Sequence, residues 1–367
     1  MHEDTGPGPT LLLTGATGQI GRRLLLGWCQ RGHTVVLALR RPAEQWPALR
    51  QMLQQAGAPV DRVRCVPTDL ARPDLGWNAE AQATLAPVTC VVHLAALWGW
   101  GLSWADAERV NVQGTLALHR WAVDRRLPGP FIAAGGFMSQ VPGHLDKLGL
   151  LDGGEHMAEA GARAARRWGA YEVSKMMAYV ALHPRRSPGQ VLPVTWVHPA
   201  TVVGDVGDPV VPEHAAITGI LRSLSRGLMP LVPGSAAHRV PWVTGDYVVR
   251  YILALLAAGP GGAQTGDHLL LDPRSPNLLA SARTLAAALG RRAPWGHAPL
   301  GLFAGLLAWP GLARWLGTSA ESLSFIVRQV PDASAAIAWG ERQGVRHPDI
   351  HEALRCTAQA WAQRSTS

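Results

Sequence analysis

The sequence of 367 residues predicts an α/β protein in which a doubly wound parallel sheet precedes a smaller, mostly helical C-terminal lobe. Three observations support this fold class. Short, nearly continuous apolar runs alternate with helical patterns through the first half of the chain, which is typical of parallel strands covered on both faces. Pro and Gly become more frequent after about residue 200, where the remaining patterns are mainly helical. The length is roughly that of two average domains.

The predicted elements follow one another in the order that such a fold requires. The first strand, TLLLT, occupies residues 10–14 and leads into a helix that ends near Arg31. Five more apolar runs predict strands at 34–40, 63–67, 88–96, 130–135 and 194–200. Periodic apolar positions predict helices at 104–125 and 171–182. We expect residues 1–200 to form the first lobe, with 240–270 returning to it, and 201–239 with 271–367 to form the second.

A glycine-rich loop, TGATGQIG, lies between the first strand and the first helix. Its glycines allow a tight turn, a close approach of the backbone to a pyrophosphate, and close packing of the helix on the sheet. The free N–H groups at the start of the helix favour phosphate. The loop therefore predicts a dinucleotide-binding sheet of the Rossmann type, with the candidate ligands Gly15, Thr17, Gly18, Gln19, Ile20, Gly21 and Arg22.

The residues after the second strand bear on which nicotinamide cofactor is bound. An NAD site usually has a carboxylate there for the ribose 2′-hydroxyl, whereas an NADP site has a cation for the 2′-phosphate. Here the strand ends in Arg40 and Arg41, and the first carboxylate is Glu44. The pattern favours NADP(H) over NAD(H), with Arg40 as the phosphate ligand. Because Arg is frequent throughout this chain, a chance occurrence stays open as the alternative.

A tyrosine and a lysine, Tyr171 and Lys175, stand four residues apart in AYEVSK on a predicted helix. This spacing puts both side chains on one face of the helix. A neighbouring ammonium favours the phenolate and lowers the pKa of the phenol, which suits proton exchange with a carbonyl or an alcohol. We expect Tyr171 to act as the general acid/base, and Lys175 to tune it and to bind a ribose. The alternative is an exposed helical pair without a catalytic role.

In combination, these motifs resemble the extended short-chain dehydrogenase/reductase (SDR) family over most of the chain. Five further segments carry the resemblance: PTDL, HLAA, NVQGT, HPATVVGD and VPWVTGDYV. The resemblance implies cofactor contacts by Asp69, Leu70, Leu94, Ala95, Ala96, Pro199, Ala200 and Val202. It also implies that Asn111 supports the proton relay. Within the family, the stretch DLARPDLGW and the distal layout look most like thioester-reductase and fatty-acyl-reductase (male sterility) domains.

The sequence departs from the family pattern after the fifth strand. The family places a Ser or Thr there, whose hydroxyl stabilises the reacting oxygen. Here FIAAGG puts Gly135 and Gly136 at those positions, and neither has a side chain that could donate. Ser139 is the candidate replacement, although it is equally well an ordinary loop serine. His198 stands where Arg is common in the family.

The expected function is hydride transfer between NADP(H) and a carbonyl, which belongs to an aldehyde, a ketone or a thioester. A nucleotide-sugar epimerase or dehydratase with bound NAD is a second interpretation, and Arg40 argues against it. A third is an NADP-binding sensor without catalysis. Gly135 and Gly136 favour the sensor, whereas the pair of Tyr171 and Lys175 disfavours it.

Composition narrows the expected partners. The net charge is +8, but 32 of the 34 basic residues are scattered arginines, so we expect no nucleic acid. No group of His, Cys, Asp or Glu has metal-ligand spacing, and the four cysteines form no close pair, which favours a reducing, cytoplasmic location. The longest apolar stretches, near 252–258 and 300–309, are too short to span a bilayer. We expect a small-molecule substrate, and a homodimer is compatible with the sequence.

Two apolar features have more than one interpretation. Trp98, Trp100 and Trp104 follow HLAA and indicate either the lining of an apolar pocket or ordinary core packing. The segment 300–309, LGLFAGLLAW, is typical of lobe packing, of a cap over an acyl site, or of a contact with a membrane.

Overall fold

The computed structural model describes residues 8–150, 157–183, 192–212, 215–262, 265–309, 311–312, 315 and 319–365. Within these ranges the strands are β1 (Thr10–Thr14), β2 (Thr34–Leu39), β3 (Val63–Pro67), β4 (Cys90–His93), β5 (Phe131–Ala134), β6 (Val194–Pro199), β7 (Thr201–Val203), β8 (Leu231–Pro233), β9 (Trp242–Thr244), β10 (Gly266–Leu270) and β11 (Gly296–Ala298).

The helices surround these strands and fill the second lobe. They are α1 (Gln19–Gln30), α2 (Pro42–Gln55), α3 (Ala79–Leu85), α4 (Trp104–Ala107), α5 (Gly114–Asp124), α6 (His144–Lys147), α7 (Met157–Trp168), α8 (Ala170–Leu182), α9 (Ala216–Ser225), α10 (Gly245–Gly262), α11 (Leu278–Ala288), α12 (Leu300–Leu307), α13 (Ser334–Arg342) and α14 (Ile350–Ser365). Short 3₁₀ turns occur at Pro73–Gly76, Phe137–Gln140 and Ala320–Phe325.

The main sheet has seven strands in the order β10-β6-β5-β4-β1-β2-β3, and all of its neighbouring pairs are parallel. This confirms the predicted Rossmann-type α/β fold. The central strand β1 is buried along its whole length, which explains its unbroken apolar sequence. The chain runs from β1 outwards to β3 and then returns to place β4 on the other side of β1. The carboxyl ends of β1 and β4 therefore flank the crevice where such sheets bind ligands.

The sequence located six of the seven strands of this sheet and missed the last one. The missed strand, β10, has the sequence GDHLL, and its first two residues are only partly buried or exposed. It lies at the edge of the sheet beside β6, so it lacks the long apolar run of a central strand. Because β10 pairs with β6, residues 266–270 belong to the main sheet.

The predicted helix at 104–125 is interrupted by a π-helical segment, Glu108–Gln113, between α4 and α5. A π segment widens one turn by one residue, and such segments occur frequently at functional sites. Sequence periodicity has no signal for it, because the backbone stays helical at both of its ends, at Ala107 and Gly114. Asn111 lies within the widened turn.

The second lobe has its own apolar core. Ile217 and Leu221 of α9 pack there with Leu285 of α11, Leu354 of α14 and the fully buried Trp242. Part of the C-terminal region nevertheless belongs to the other lobe. Helix α13 packs against β10, and its Trp339 joins the core of the main sheet. This differs from the boundary expected for 271–367, because a solvent-facing edge strand needs a covering helix.

The segments HPATVVGD and VTGDYV meet at a buried carboxylate. Asp205 accepts a hydrogen bond from the backbone N–H of Asp246 at 2.9 Å, at the start of α10. Its other oxygen lies 3.2 Å from the guanidinium of Arg23 on α1. The carboxylate thus fastens the start of α10 beside α1, which gives the two segments a structural role. None of the described helices is long and apolar enough to cross a membrane.

Candidate active site

A cavity of about 380 Å³ opens at the carboxyl ends of β1, β4, β5 and β6. Twelve of the predicted site residues line it: Gly15, Gly18, Gln19, Ile20, Gly21, Leu94, Ala96, Tyr171, Lys175, Pro199, Ala200 and Val202. The glycine loop and the Tyr–Lys helix therefore face one common space, although about 150 residues separate them in the sequence. Parallel strands bring their carboxyl ends to one edge of the sheet, which is why these distant segments meet.

The glycine loop has the geometry of a phosphate cradle. Gly15 has φ +75°, and a Cβ there would lie 2.7 Å from the backbone of Leu94 and Ala95. A Cβ on Gly21 would lie 2.1 Å from the carbonyl oxygen of Gly15. Gly18 precedes α1 and offers no capping side chain, so the first N–H groups of the helix stay available to an anion. These residues fit a dinucleotide pyrophosphate.

The Tyr–Lys pair lies on α8, and its electrostatics differ from the sequence-based expectation. Burial, with a smaller contribution from the carboxylate of Glu172, raises the pKa of Tyr171 to about 12. The expectation that Lys175 lowers the pKa of this phenol is wrong for this structure. Burial lowers the pKa of Lys175 to about 8, and its ammonium donates to the carbonyl of Ala134. Near neutral pH Tyr171 therefore carries its proton, the state that a general acid requires.

The side chain of Glu172 is a buried carboxylate that sequence reasoning missed. It lines the cavity beside Tyr171. Its Oε1 lies 2.8 Å from Nε2 of His144, and its Oε2 accepts a hydrogen bond of 2.6 Å from Ser324. Ser324 belongs to the C-terminal part of the chain, so this contact joins that part to the helix of Tyr171. An acidic residue next to the tyrosine in the sequence was the only available signal.

The amide of Asn111 holds two neighbouring elements together behind the cavity. It accepts a hydrogen bond of 2.7 Å from the backbone N–H of Leu97 and donates to the carbonyl of the same residue at 3.0 Å. Its amide nitrogen also donates to Oγ of Ser174 at 2.9 Å. Asn111 is buried and does not line the cavity. Its geometry is that of a residue that positions α8 and the loop after β4.

The two departures from the family pattern, the glycines after β5 and His198, lie next to each other in the fold. A Cβ on Gly135 would lie 2.4 Å from Nδ1 of His198, so the imidazole occupies the space that a serine side chain needs. Gly136 differs: it has ordinary extended dihedral angles, φ −126° and ψ 141°, and a Cβ there meets no atom within 4 Å. Gly136 lines the cavity. The space where a side chain at 136 would lie is therefore open, whereas the imidazole of His198 fills the space beside 135.

Ser139 is turned away from the cavity. Its hydroxyl donates to the carbonyl of Gly136 at 2.7 Å and lies 3.1 Å from Nδ1 of His198. Nε2 of His198 lies 2.9 Å from Oδ1 of Asp267, and the Oδ2 of the same carboxylate accepts a hydrogen bond of 3.0 Å from the Tyr179 hydroxyl. This network consumes the hydrogen-bonding capacity of Ser139 and holds the loop after β5. Ser139 does not take the place of the missing donor in this arrangement.

The remaining predicted cofactor residues do not line this cavity. They are Thr17, Arg22, Arg40, Asp69, Leu70 and Ala95. Thr17, Arg22 and Arg40 are exposed to solvent. Asp69 accepts a hydrogen bond of 3.0 Å from the backbone N–H of Ala71, which shapes the turn after β3. Arg40 directly follows Leu39, the last residue of β2.

Apart from Glu172 and Lys175, the part of the cavity next to Tyr171 is apolar. Trp98 and Trp100 contribute to its lining together with Phe137 and Phe325, whereas Trp104 packs against α7 at Gly161. The ring of Trp98 lies 6.1 Å from that of Tyr171 in an edge-to-face arrangement. Phe325 comes from the distal end of the chain, so local sequence patterns gave no signal for it. Among the described residues, no His, Cys, Asp and Glu side chains group in threes or more to bind a metal.

Comparisons with known proteins agree with this geometry. Residues 13–252, more than half of the chain, match the family model described as male sterility protein, an NAD-binding family. The isonitrile lipopeptide synthase of Streptomyces coeruleorubidus is 28% identical over 272 residues, which cover 70% of this chain and 17% of that protein. Fusarin C synthetase of Gibberella moniliformis is 31% identical over 151 residues, or 40% of this chain and 4% of that protein. The chain thus spans a small part of these curated relatives.

Among solved structures, the terminal R domain of the myxalamid PKS-NRPS biosynthetic pathway superposes with a TM-score of 0.74. It is 21% identical, and the alignment covers 99% of this chain and 92% of that domain. At this identity the likeness supports the fold, while the family match rests on the sequence. The chain belongs to the NAD-binding male sterility protein family, a branch of the extended SDR oxidoreductases that use a nicotinamide cofactor.

Proposed function

We propose that this protein uses NADPH to reduce an apolar carbonyl compound, which is an aldehyde, a ketone or a thioester, with Tyr171 as the general acid. One observation carries the proposal. Tyr171 and Lys175 line the same cavity as the glycine loop, and the wall beside the phenol is apolar apart from the carboxylate of Glu172. A protonated phenol beside a nucleotide cradle suits proton delivery to a carbonyl oxygen as the carbon accepts a hydride.

The residues of the chain divide the work as follows. Bound NADPH would supply the hydride to the carbonyl carbon. The Tyr171 hydroxyl would donate its proton to the carbonyl oxygen as negative charge develops there. Lys175, which lines the same cavity, would bind the ribose of the nucleotide through its ammonium. Trp98 and Trp100 would exclude water from the reacting atoms. Reduction of a thioester substrate would release an aldehyde and a free thiol.

A turnover assay tests this function directly. We expect the purified protein to consume NADPH, followed by its absorbance, when it is supplied with apolar aldehydes, ketones or acyl thioesters, and to form the matching alcohol or aldehyde. Tight NADPH binding without turnover on any of these classes would contradict the proposal and favour a sensor. NAD that co-purifies with the protein would instead favour an epimerase or dehydratase.

The cofactor preference provides a second test. We expect NADPH to bind more tightly than NADH, because exposed Arg40 follows β2, where a 2′-phosphate would lie. A charge-assisted hydrogen bond contributes about 1.5–3 kcal/mol, so Arg40→Ala should weaken NADPH binding by roughly 10–100-fold and leave NADH binding unchanged. Tryptophan quenching in a titration measures both dissociation constants. The matched control is Arg50→Ala, because Arg50 is also an exposed arginine but lies on α2. An equal loss for both nucleotides would argue against Arg40 as the phosphate ligand.

The pH dependence of reduction follows from the pKa of Lys175. Its pKa is lowered to about 8 by burial, so the ammonium loses its charge as the pH rises through that value. Tyr171, with a pKa of about 12, keeps its proton over the same range. We expect kcat/KM to be level below pH 8 and to fall above it. A profile from about pH 6 to about pH 10 would check this, and a constant rate through pH 8 would contradict the role of Lys175.

A further inference from the structure

The outer face of α12 is apolar and open to solvent. The segment 300–309, LGLFAGLLAW, contains no charged or hydrogen-bonding side chain apart from the indole of Trp309. Leu302 and Leu306 of α12 are 55% and 47% exposed, and Trp309, just after the helix, is 74% exposed. Spacings of four and three residues place the three on one face of the helix. Contiguous apolar faces of this kind are rarely exposed to solvent unless they bind a partner.

The exposed apolar side chains of the protein concentrate in this region. The structure describes eight large apolar side chains as exposed, and six of them belong to α12 and to segments near it: Leu228, Trp295, Leu302, Leu306, Trp309 and Trp315. We call these six residues the apolar patch. Three of them are tryptophans, the residue type that is enriched where a protein meets the interface between lipid and water.

The chain around the patch is also basic. From 273 to 320 the sequence contains five arginines and no Asp or Glu. Arg291 and Arg292, which are exposed, lie four and three residues before Trp295. The guanidinium of Arg226 lies 5.3 Å from the ring centre of Trp315. An apolar surface that combines tryptophan with arginine is complementary to a bilayer interface with anionic headgroups.

The inner face of α12 covers apolar space. Phe303 and Leu307 line a cavity of about 130 Å³, together with Leu228 of the patch. Trp100 and Phe325 line both this cavity and the larger one that holds Tyr171. Helix α12 is therefore apolar on the side that faces the protein and on the side that faces outwards. Apolar side chains on both faces are what a helix needs when one face contacts lipid and the other packs on the protein.

We propose that the apolar patch docks on a membrane surface that contains anionic lipid, with α12 lying parallel to the bilayer. A second copy of this chain is a poorer occupant. A two-fold contact through the patch would bring the same surface of both copies together, and Arg291 and Arg292 of both copies would then border one interface. Like charges in such an interface oppose association. Docking is independent of the proposed reduction, because vesicle binding needs no turnover.

Co-sedimentation with vesicles tests the proposal on the full chain. We expect the protein to bind vesicles of phosphatidylcholine with phosphatidylglycerol, and to bind phosphatidylcholine alone more weakly. Salt should weaken binding, because it screens the attraction between the arginines and the headgroups. Circular dichroism of every variant establishes that it is folded.

Two pairs of substitutions separate the apolar and the electrostatic contributions. Leu306→Ser with Trp309→Ser should abolish binding to both kinds of vesicle. Arg291→Glu with Arg292→Glu should lower the partition coefficient on anionic vesicles by at least about tenfold, since each basic residue near the surface contributes about a factor of five. All four side chains are exposed, so the fold should tolerate the changes.

Matched controls lie on other parts of the surface. Val206→Ser removes an exposed apolar side chain outside the patch, and Arg50→Glu with Arg64→Glu changes the net charge by the same amount on α2 and β3. These controls should bind vesicles like the wild type. The proposal would be overturned if the wild type stayed in solution at high lipid concentration, or if the controls lost as much binding as the patch variants. A lipid-insensitive dimer that the patch variants dissociate would assign the patch to a second copy instead, and binding only to an acidic protein would assign it to that partner.

Discussion

Tyr171→Phe should lower the rate of carbonyl reduction by about 10²–10⁴-fold, because it removes the group that delivers the proton. NADPH binding should stay unchanged, since the phenyl ring preserves the edge-to-face contact with Trp98 and the cavity wall. The measurement is kcat under saturating NADPH together with the dissociation constant of NADPH. Loss of turnover with intact binding identifies Tyr171 as the acid.

Tyr179→Phe is the matched control for this prediction. Tyr179 lies on the same helix, and its hydroxyl donates to Asp267 at 3.0 Å, within the network of His198 rather than in the cavity. We expect this variant to lose stability and to keep most of its turnover per folded molecule. If Tyr171→Phe instead reduced the substrate at the wild-type rate, either another group would supply the proton or the phenol would have no part in the chemistry.

Gly136→Ser should raise the rate of reduction, since it restores a hydroxyl at the position where the family places a donor. Removing one such donor from other enzymes costs about 10²–10³-fold in rate, so a gain of about tenfold or more is expected here. The backbone at 136 has φ −126°, which any residue adopts, and a Cβ there has no neighbour within 4 Å. The side chain would point into space that borders the cavity.

Two variants show whether the hydroxyl is responsible. Gly136→Ala adds the Cβ without the donor and should leave the rate unchanged. Gly135→Ala should lower the free energy of unfolding by about 1–3 kcal/mol, because its Cβ overlaps the buried imidazole of His198. Denaturant unfolding measures this loss. An equal gain of rate in Gly136→Ala, or no gain in Gly136→Ser, would argue that this reaction does not need a hydroxyl there.

The elements that the sequence located are those with a strong local signal. The strand TLLLT is apolar throughout, because both faces of β1 are covered. The glycines at 15 and 21 are visible because a close backbone approach excludes every side chain. The pair of Tyr171 and Lys175 is visible because a helix places residues four apart on one face. Each of these signals lies within a few residues of chain.

Other features depend on contacts between distant segments. Glu172 lies next to Tyr171 in the sequence, but only the fold brings Ser324 and His144 to its oxygens. Phe325 lines the cavity although it lies over 150 residues from the tyrosine. The two departures, Gly135 and His198, looked independent in the sequence, yet they share one space in the fold. No pattern of spacing contains this information.

The sequence by itself determined the fold class, the nucleotide cradle and the identity of the Tyr–Lys pair, because backbone geometry and helical periodicity act over short distances. Only the tertiary structure decided the protonation states and the direction of Ser139. A pKa depends on how much water the surrounding chain excludes, and burial has raised that of Tyr171 and lowered that of Lys175. Ser139 is held by His198, some 60 residues further along the chain, and the packing of β6 beside β5 is what brings the two together.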